Sequence, residues 1–157
     1  MTVVVGDMTT TRLAGRFQLV YLVWNAIMNV TTQQEQVAVF SNAAAHLDPG
    51  GRFVVEVCVP ETSRPGEVLR VSAMDDDHVC IDSHDDPVGQ ISSSHHWIEV
   101  DGHLVSHSMP FRYVWPSELD LMGQVAGLRL SQRWAGWRKE PFTADSTSQV
   151  AVFEKPL

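Results

Sequence analysis

The sequence predicts an α/β fold in which a parallel strand–helix–strand core carries an antiparallel β insertion. Two apolar runs, residues 17–23 and 52–59, are nearly unbroken, as in strands covered on both faces of a parallel sheet. Between them lies an apolar stripe at the helical period. From 61 to 114 the pattern changes to short alternating segments separated by polar or glycine turns, the signature of antiparallel strands.

Taken in order, Val3-Val4-Val5 reads as a short strand closed by a Gly6-Asp7 turn. The polar stretch Thr9-Thr10-Thr11-Arg12 leads into the 17–23 strand. Thr32-Gln33-Gln34-Glu35 is a capping box that opens a helix. Val37, Phe40, Ala44 and Leu47 supply its buried stripe. Asp48-Pro49-Gly50-Gly51 stops it, because proline cannot continue a helix and glycine accepts the left-handed turn. The 52–59 strand follows, and Pro60 ends it. Strand, helix and strand in this order make a right-handed βαβ unit.

In the middle, residues 68–71, 79–81, 90–92, 97–100 and 104–107 are the expected strands, with Asp101-Gly102 as a hairpin turn. Pro116-Ser117-Glu118 then starts a second helix, with Ser117 and Asp120 as a cap pair. Its stripe is Leu119, Met122 and Val125 or Ala126, and Gly127 ends it. Residues 128–134 alternate as a half-buried strand, and 149–153 form a closing strand antiparallel to its neighbours. The organisation is one domain, residues 1–157, with the antiparallel insertion at 61–114.

The 157 residues carry a net charge of −8, with 44% hydrophobic and 19% charged side chains, an ordinary globular composition. An acidic chain has no general attraction for a phosphate backbone, so no nucleic-acid partner is expected. The apolar stretch around residues 17–30 contains Gln18, Asn25 and Asn29 and is shorter than the ~20 residues of a membrane helix. No membrane partner is expected either. Two cysteines, Cys58 and Cys80, are too few for a disulfide framework and fit a reducing, cytoplasmic compartment.

Ligands of open α/β sheets bind beyond the carboxyl ends of the strands, which singles out Asp7, Trp24, Asn25 and Glu61. Asp7 is a hydrogen-bond acceptor for a ligand amino group or else a turn former. Asn25 fixes the polar end of a ligand or satisfies its own turn, and Trp24 lines a pocket or sits in the core. Six of the seven histidines lie in the insertion or at its border. His95 and His96, adjacent on a strand, point to opposite faces and do not share an ion; no metal is expected. Either could serve as a general base near neutral pH. There is no Gly-x-Ser-x-Gly elbow, no phosphate-binding Gly-x-x-x-x-Gly-Lys loop and no Gly-x-Gly-x-x-Gly.

The order of motifs, however, is distinctive: Val-Val-Val-Gly-Asp-Met at 3–8, Phe-Gln-Leu-Val-Tyr-Leu-Val-Trp-Asn-Ala-Ile-Met-Asn at 17–29, His-Leu-Asp-Pro-Gly-Gly-Arg-Phe-Val-Val-Glu-Val at 46–57, Glu-Leu-Asp-Leu-Met-Gly-Gln-Val-Ala-Gly-Leu-Arg-Leu at 118–130, and a tail with Trp134, Trp137, Pro141-Phe142-Thr143 and Asp145-Ser146. Together they resemble the bacterial Rossmann-like (class I) S-adenosylmethionine-dependent methyltransferases, from residue 3 to 156. The family sheet has order 3-2-1-4-5-7-6. The resemblance makes residues 3–5, 17–23, 52–59, 128–134 and 149–153 its third, fourth, fifth, sixth and seventh strands, a partial sheet with the 61–114 meander as a substrate-covering insertion. It implies S-adenosylmethionine as cofactor, with Asp7 and Met8 at the adenine and Val23, Trp24 and Asn25 near the methionine part and the transferred methyl. It implies a small-molecule acceptor, for which His95 and His96 are the catalytic candidates and Arg112 and Trp115 the binding candidates. Arg112 is equally read as a surface ion-pair partner.

The family's glycine-rich cofactor loop and the acidic residue for the ribose would precede Val3, so the resemblance covers the carboxyl-terminal portion and implies a truncated domain. In such a domain the 17–23 strand becomes an apolar edge, and association into a homodimer through the Phe17 to Val23 edge is expected. The alternatives are a non-catalytic remnant acting as an interaction protein through that edge, and a small-ligand-binding domain that uses the meander as a cup.

Overall fold

The computed structural model describes residues 2–61 and 69–157. The elements are β1 (Phe17–Leu22), a 3-10 turn (Ala26–Asn29), α1 (Gln33–His46), β2 (Leu47–Cys58), β3 (Leu69–Met74), β4 (His78–Asp86), β5 (Ile91–Val100), β6 (His103–Arg112), α2 (Pro116–Val125), β7 (Arg129–Trp134) and β8 (Ser148–Glu154). They form two compact units, one of Met1–Pro60 with Val114–Leu157 and one of Glu61–Tyr113.

The first unit is built on a four-stranded sheet of order β1-β2-β8-β7. β1 is parallel to β2, Tyr21 lying opposite Val54, and β8 is antiparallel to both β2 and β7. This order, with these strand directions, is the one that the resemblance implies for the family's strands 4-5-7-6. The strand expected at Val3-Val4-Val5 does not form. These residues lie outside every described ladder and are largely exposed, Val5 fully so. A strand needs a partner for its backbone groups, and none of the four strands supplies one. Among the described residues β1 is therefore an edge, with one neighbour and with Leu19 and Tyr21 more than half exposed.

Helix α1 begins as its sequence dictates. The Thr32 hydroxyl oxygen accepts from the Glu35 backbone N–H at 3.2 Å, and the hydroxyl donates to the Glu35 carboxylate at 2.8 Å. Its buried face is Gln36, Val39, Phe40, Ala43 and Ala44, with Val37 only half-buried. Asp48-Pro49-Gly50-Gly51 is not a separate turn. β2 starts directly at Leu47, because Gly50 N–H donates to the Lys155 carbonyl and Lys155 N–H to the Gly51 carbonyl, both at 2.9 Å. Pairing with the chain's last residues outweighs the local turn preference.

Both helices pack on one face of this sheet. Phe40 of α1 meets Phe53 and Phe153 edge-on at 5.1 and 5.2 Å, and these two lie opposite each other across β2 and β8. Aromatic pairs of this geometry contribute ~0.5–1.5 kcal/mol each beyond burial. α2 has Trp115 at its N-cap without a side-chain cap bond. Asp120, expected to cap, pairs instead with Arg133 of β7. Leu119 and Met122 are buried as expected, but Val125 is exposed and Gly123 takes its place against the sheet.

The second unit is an antiparallel sheet of order β3-β4-β5-β6. Residues 91–92 of the expected 90–92 segment and all of 97–100 belong to the single strand β5, Gln90 staying in the turn before it, and Asp101-Gly102 turns β5 into β6 with φ of 52° and 74°, the type I′ geometry. Of the expected 68–71 strand, residue 68 lies outside the described residues. No helix among the described residues is long and apolar enough to cross a membrane.

Candidate functional site

β1 and β2 run parallel, so their carboxyl ends lie side by side. The chain leaves β1 through an unusual corner, with Trp24 and Asn25 consecutively in the left-handed region at φ 61° and 57°. Asparagine tolerates this conformation, but for a bulky residue it costs ~1–3 kcal/mol and persists only where the surroundings over-determine it. Here they do. Trp24 N–H donates to Glu56 Oε2 at 2.9 Å. Cys58 N–H donates to Asn25 Oδ1 at 2.7 Å, and Met28 N–H to the Asn25 carbonyl at 2.8 Å. Glu56 Oε1 also accepts from the indole N–H of Trp137, 2.9 Å away, in the connection between β7 and β8. The indoles themselves stay open, Trp24 86% and Trp137 58% exposed. Trp24 is no core tryptophan.

The second group of sequence candidates sits in a turn held by α1. Asp7 Oδ1 accepts from Thr9 N–H at 2.7 Å and from its hydroxyl at 2.6 Å, the turn-forming role. The hydroxyl, then the amide, hold the Asp7 carboxyl below its usual range, so it is ionised at neutral pH. Asn42 donates to the carbonyls of Met8 and Thr11 at 2.8 and 3.0 Å. His46 Nε2 accepts from Leu13 N–H at 2.9 Å, and its Nδ1 lies 2.8 Å from the Asn42 carbonyl. The tautomer protonated at Nδ1 satisfies both contacts.

In the second unit His95 and His96 face opposite ways. His95 contacts the hydroxyls of Ser83 and Ser108 at 3.0 and 2.8 Å. His96 lies in a column of stacked imidazoles, 5.2 Å from His78 and 4.8 Å from His107, with His78 Nε2 2.9 Å from its Nδ1. Burial, then His107 and His78, lower its pKa. His103 and His107 are four residues apart, but on a strand that separates them by ~13 Å, too far to share an ion. No group of three metal-ligating side chains is found among the described residues. Arg112 does not lie at the surface: it is 4% exposed and donates to Gln90 Oε1 at 2.7 Å. Trp115, 36% exposed, starts α2, its carbonyl accepting from Glu118 and Leu119 N–H.

Sequence reasoning missed Glu56, Asn42 and His46. The available signals were a lone carboxylate inside an apolar strand and two polar residues four apart on a helix's buried face.

No family model matches the chain. It is 26% identical over 154 residues to the cypemycin N-terminal methyltransferase of a Streptomyces species, covering 96% of this chain and 63% of that protein. Among solved structures it is similar to the CcbJ methyltransferase from Streptomyces caelestis, with 30% identity, a TM-score of 0.86, and 98% of this chain covering 63% of that one. It is also similar to CalS10, an amino pentose methyltransferase from Micromonospora echinaspora solved with S-adenosylmethionine bound, with 20% identity, a TM-score of 0.69, and 96% of this chain covering 63% of that one. The chain thus spans somewhat under two thirds of the length of these relatives, and its fold is a portion of the class I methyltransferase fold.

Proposed function

We propose that this chain forms the carboxyl-terminal part of a class I methyltransferase that passes a methyl group from S-adenosylmethionine to an amine of a small molecule. The observation that carries the reading is the left-handed Trp24–Asn25 corner at the carboxyl end of β1, pinned by β2 at the place where open α/β sheets bind ligands. The named relatives support an amine acceptor, since one is named as an N-terminal methyltransferase and one as an amino pentose methyltransferase.

The residues present fit two ends of the donor. Asp7, exposed and ionised, suits an adenine amino group, and Val23, Trp24 and Asn25 suit the methionine end. The donor itself supplies a positively charged sulfonium whose methyl group is electrophilic. The chain's own part is positioning, together with acceptance of the proton that an ammonium acceptor must lose. His96, whose pKa is lowered by burial and by His107 and His78, is the histidine to which we assign the proton acceptance. His95, bonded to two serines, is read as its alternative. Arg112 is better suited to bracing Gln90 than to touching the acceptor.

The uncovered edge of β1 is read as pairing with a second copy, supported by the exposure of Phe17, Leu19 and Tyr21. A cysteine content of two fits a cytoplasmic location. Isothermal titration with S-adenosylhomocysteine tests the central reading. Saturable binding in the micromolar range is expected, and no heat at millimolar ligand would refute it.

A further inference from the structure

We propose that Glu56 is the positioning residue of this site, its single carboxylate fixing both the Trp24–Asn25 corner and the Trp137 indole; the proposal rests on reading that corner as part of a methyl-donor cleft. Glu56 is the one charged residue between Phe53 and Cys58 in β2. It lies two residues before Cys58, whose N–H holds the other half of the corner through Asn25. Its two oxygens divide the work. Oε2 takes the Trp24 amide and Oε1 the Trp137 indole, each at 2.9 Å.

The donors come from segments 32 and 81 residues away in sequence, so the carboxylate ties the exit of β1, the end of β2 and the β7–β8 connection together. Hydrogen bonds to an ionised acceptor are about twice as strong as neutral ones, which suits a corner that must stay strained. Both indole bodies remain mostly exposed; the Trp137 ring is held by its N–H, and the backbone that carries the Trp24 ring is held by its amide. Fixed, accessible aromatic rings attract cationic groups, and the sulfonium of the donor and the ammonium of the acceptor are both of that class.

The geometry also says why no neutral substitute serves. Glutamine keeps the length but offers one acceptor oxygen, and turns its NH₂ toward the other donor. Glu56→Gln therefore conserves shape while breaking one arm. Trp137→Phe removes the other donor and leaves the carboxylate on the corner.

The test uses the ¹⁵N-labelled full chain, with the Trp137 indole N–H signal assigned by its loss in Trp137→Phe. In the unaltered chain this signal is expected to be protected from solvent exchange. Glu56→Gln is expected to raise indole exchange at least about tenfold, move the Trp24 and Asn25 amides, and weaken S-adenosylhomocysteine binding about tenfold. The Phe153 amide should stay in place, confirming that the variant folds. Trp137→Phe should weaken binding less. Unchanged Trp137 and Trp24 signals in Glu56→Gln would overturn the clamp. A broken clamp with unchanged affinity would overturn the positioning role and leave the methyl-donor reading standing. No binding by the unaltered chain at millimolar ligand would overturn that reading, and the positioning role with it.

Discussion

A Cβ placed on Gly123 of α2 would stand 2.6 Å from Cε1 of Phe153 on β8. The helix lies so close to the sheet that only hydrogen fits there. Phe153 has no room to withdraw, since its ring is fully buried against Phe40.

Gly123→Ala sets two effects against each other. Alanine favours the helix by ~1 kcal/mol, and overpacking a tight core costs ~1–3 kcal/mol. With Phe153 held from behind, the second should win, lowering the urea midpoint at unchanged slope. In a Phe153→Leu background the same substitution should be neutral or stabilising, because the obstructing ring edge is gone.

Gln149 is fully buried on β8, opposite Val57, and neither side-chain polar atom has a hydrogen-bond partner among the described residues. Such a group costs ~1–3 kcal/mol. Gln149→Met, similar in length, should raise the melting temperature by about 2–4 °C per kcal/mol recovered. A fall in thermal scans would show that the amide is satisfied in solution.

The histidine column makes the second unit acid-sensitive. His96 faces His78 and Asp82 from β4 and His107 from β6, with His95 beside it on its own strand. Its pKa lies below the unfolded value of ~6.5, so below that pH the unfolded chain binds the extra proton first. Stability is therefore full above ~6.5 and declines as pH falls from there toward the folded value. Denaturant melts of the 91–100 region between pH 7.5 and 5.5 should show this decline, and His96→Gln should flatten it.

The β1 edge should govern association. Leu19 and Tyr21 are 54% and 65% exposed beside a ladder with one neighbour, and a charge on such an edge discourages pairing. Light scattering should find a dimer for the unaltered chain and a monomer for the Leu19→Lys, Tyr21→Lys double variant.

Much of the fold was legible in the sequence because its signals are local. The Thr32–Glu35 box and the Asp101-Gly102 turn each act within four residues and formed as written. What failed depended on distant partners. Val3-Val4-Val5 has the composition of a strand but no ladder to join. Asp48-Pro49-Gly50-Gly51 follows the helix end as read, with Gly50 at φ 76°, but it runs on as part of β2 because Lys155 pairs with it. Asp120 looked like a cap until Arg133 claimed it. In the site, Trp24 and Asn25 were recognisable from their place after an apolar run. Glu56 was not, since both groups it binds are brought to it only by the folded sheet.

Chemical-shift mapping of the full chain with S-adenosylhomocysteine probes the proposed methyl-donor cleft most directly. Perturbations are expected in two clusters, at Asp7 and Met8 and at Val23, Trp24 and Asn25, with the 129–134 strand silent. Saturable shifts that spare both clusters, or no shifts at all at millimolar ligand, would contradict it.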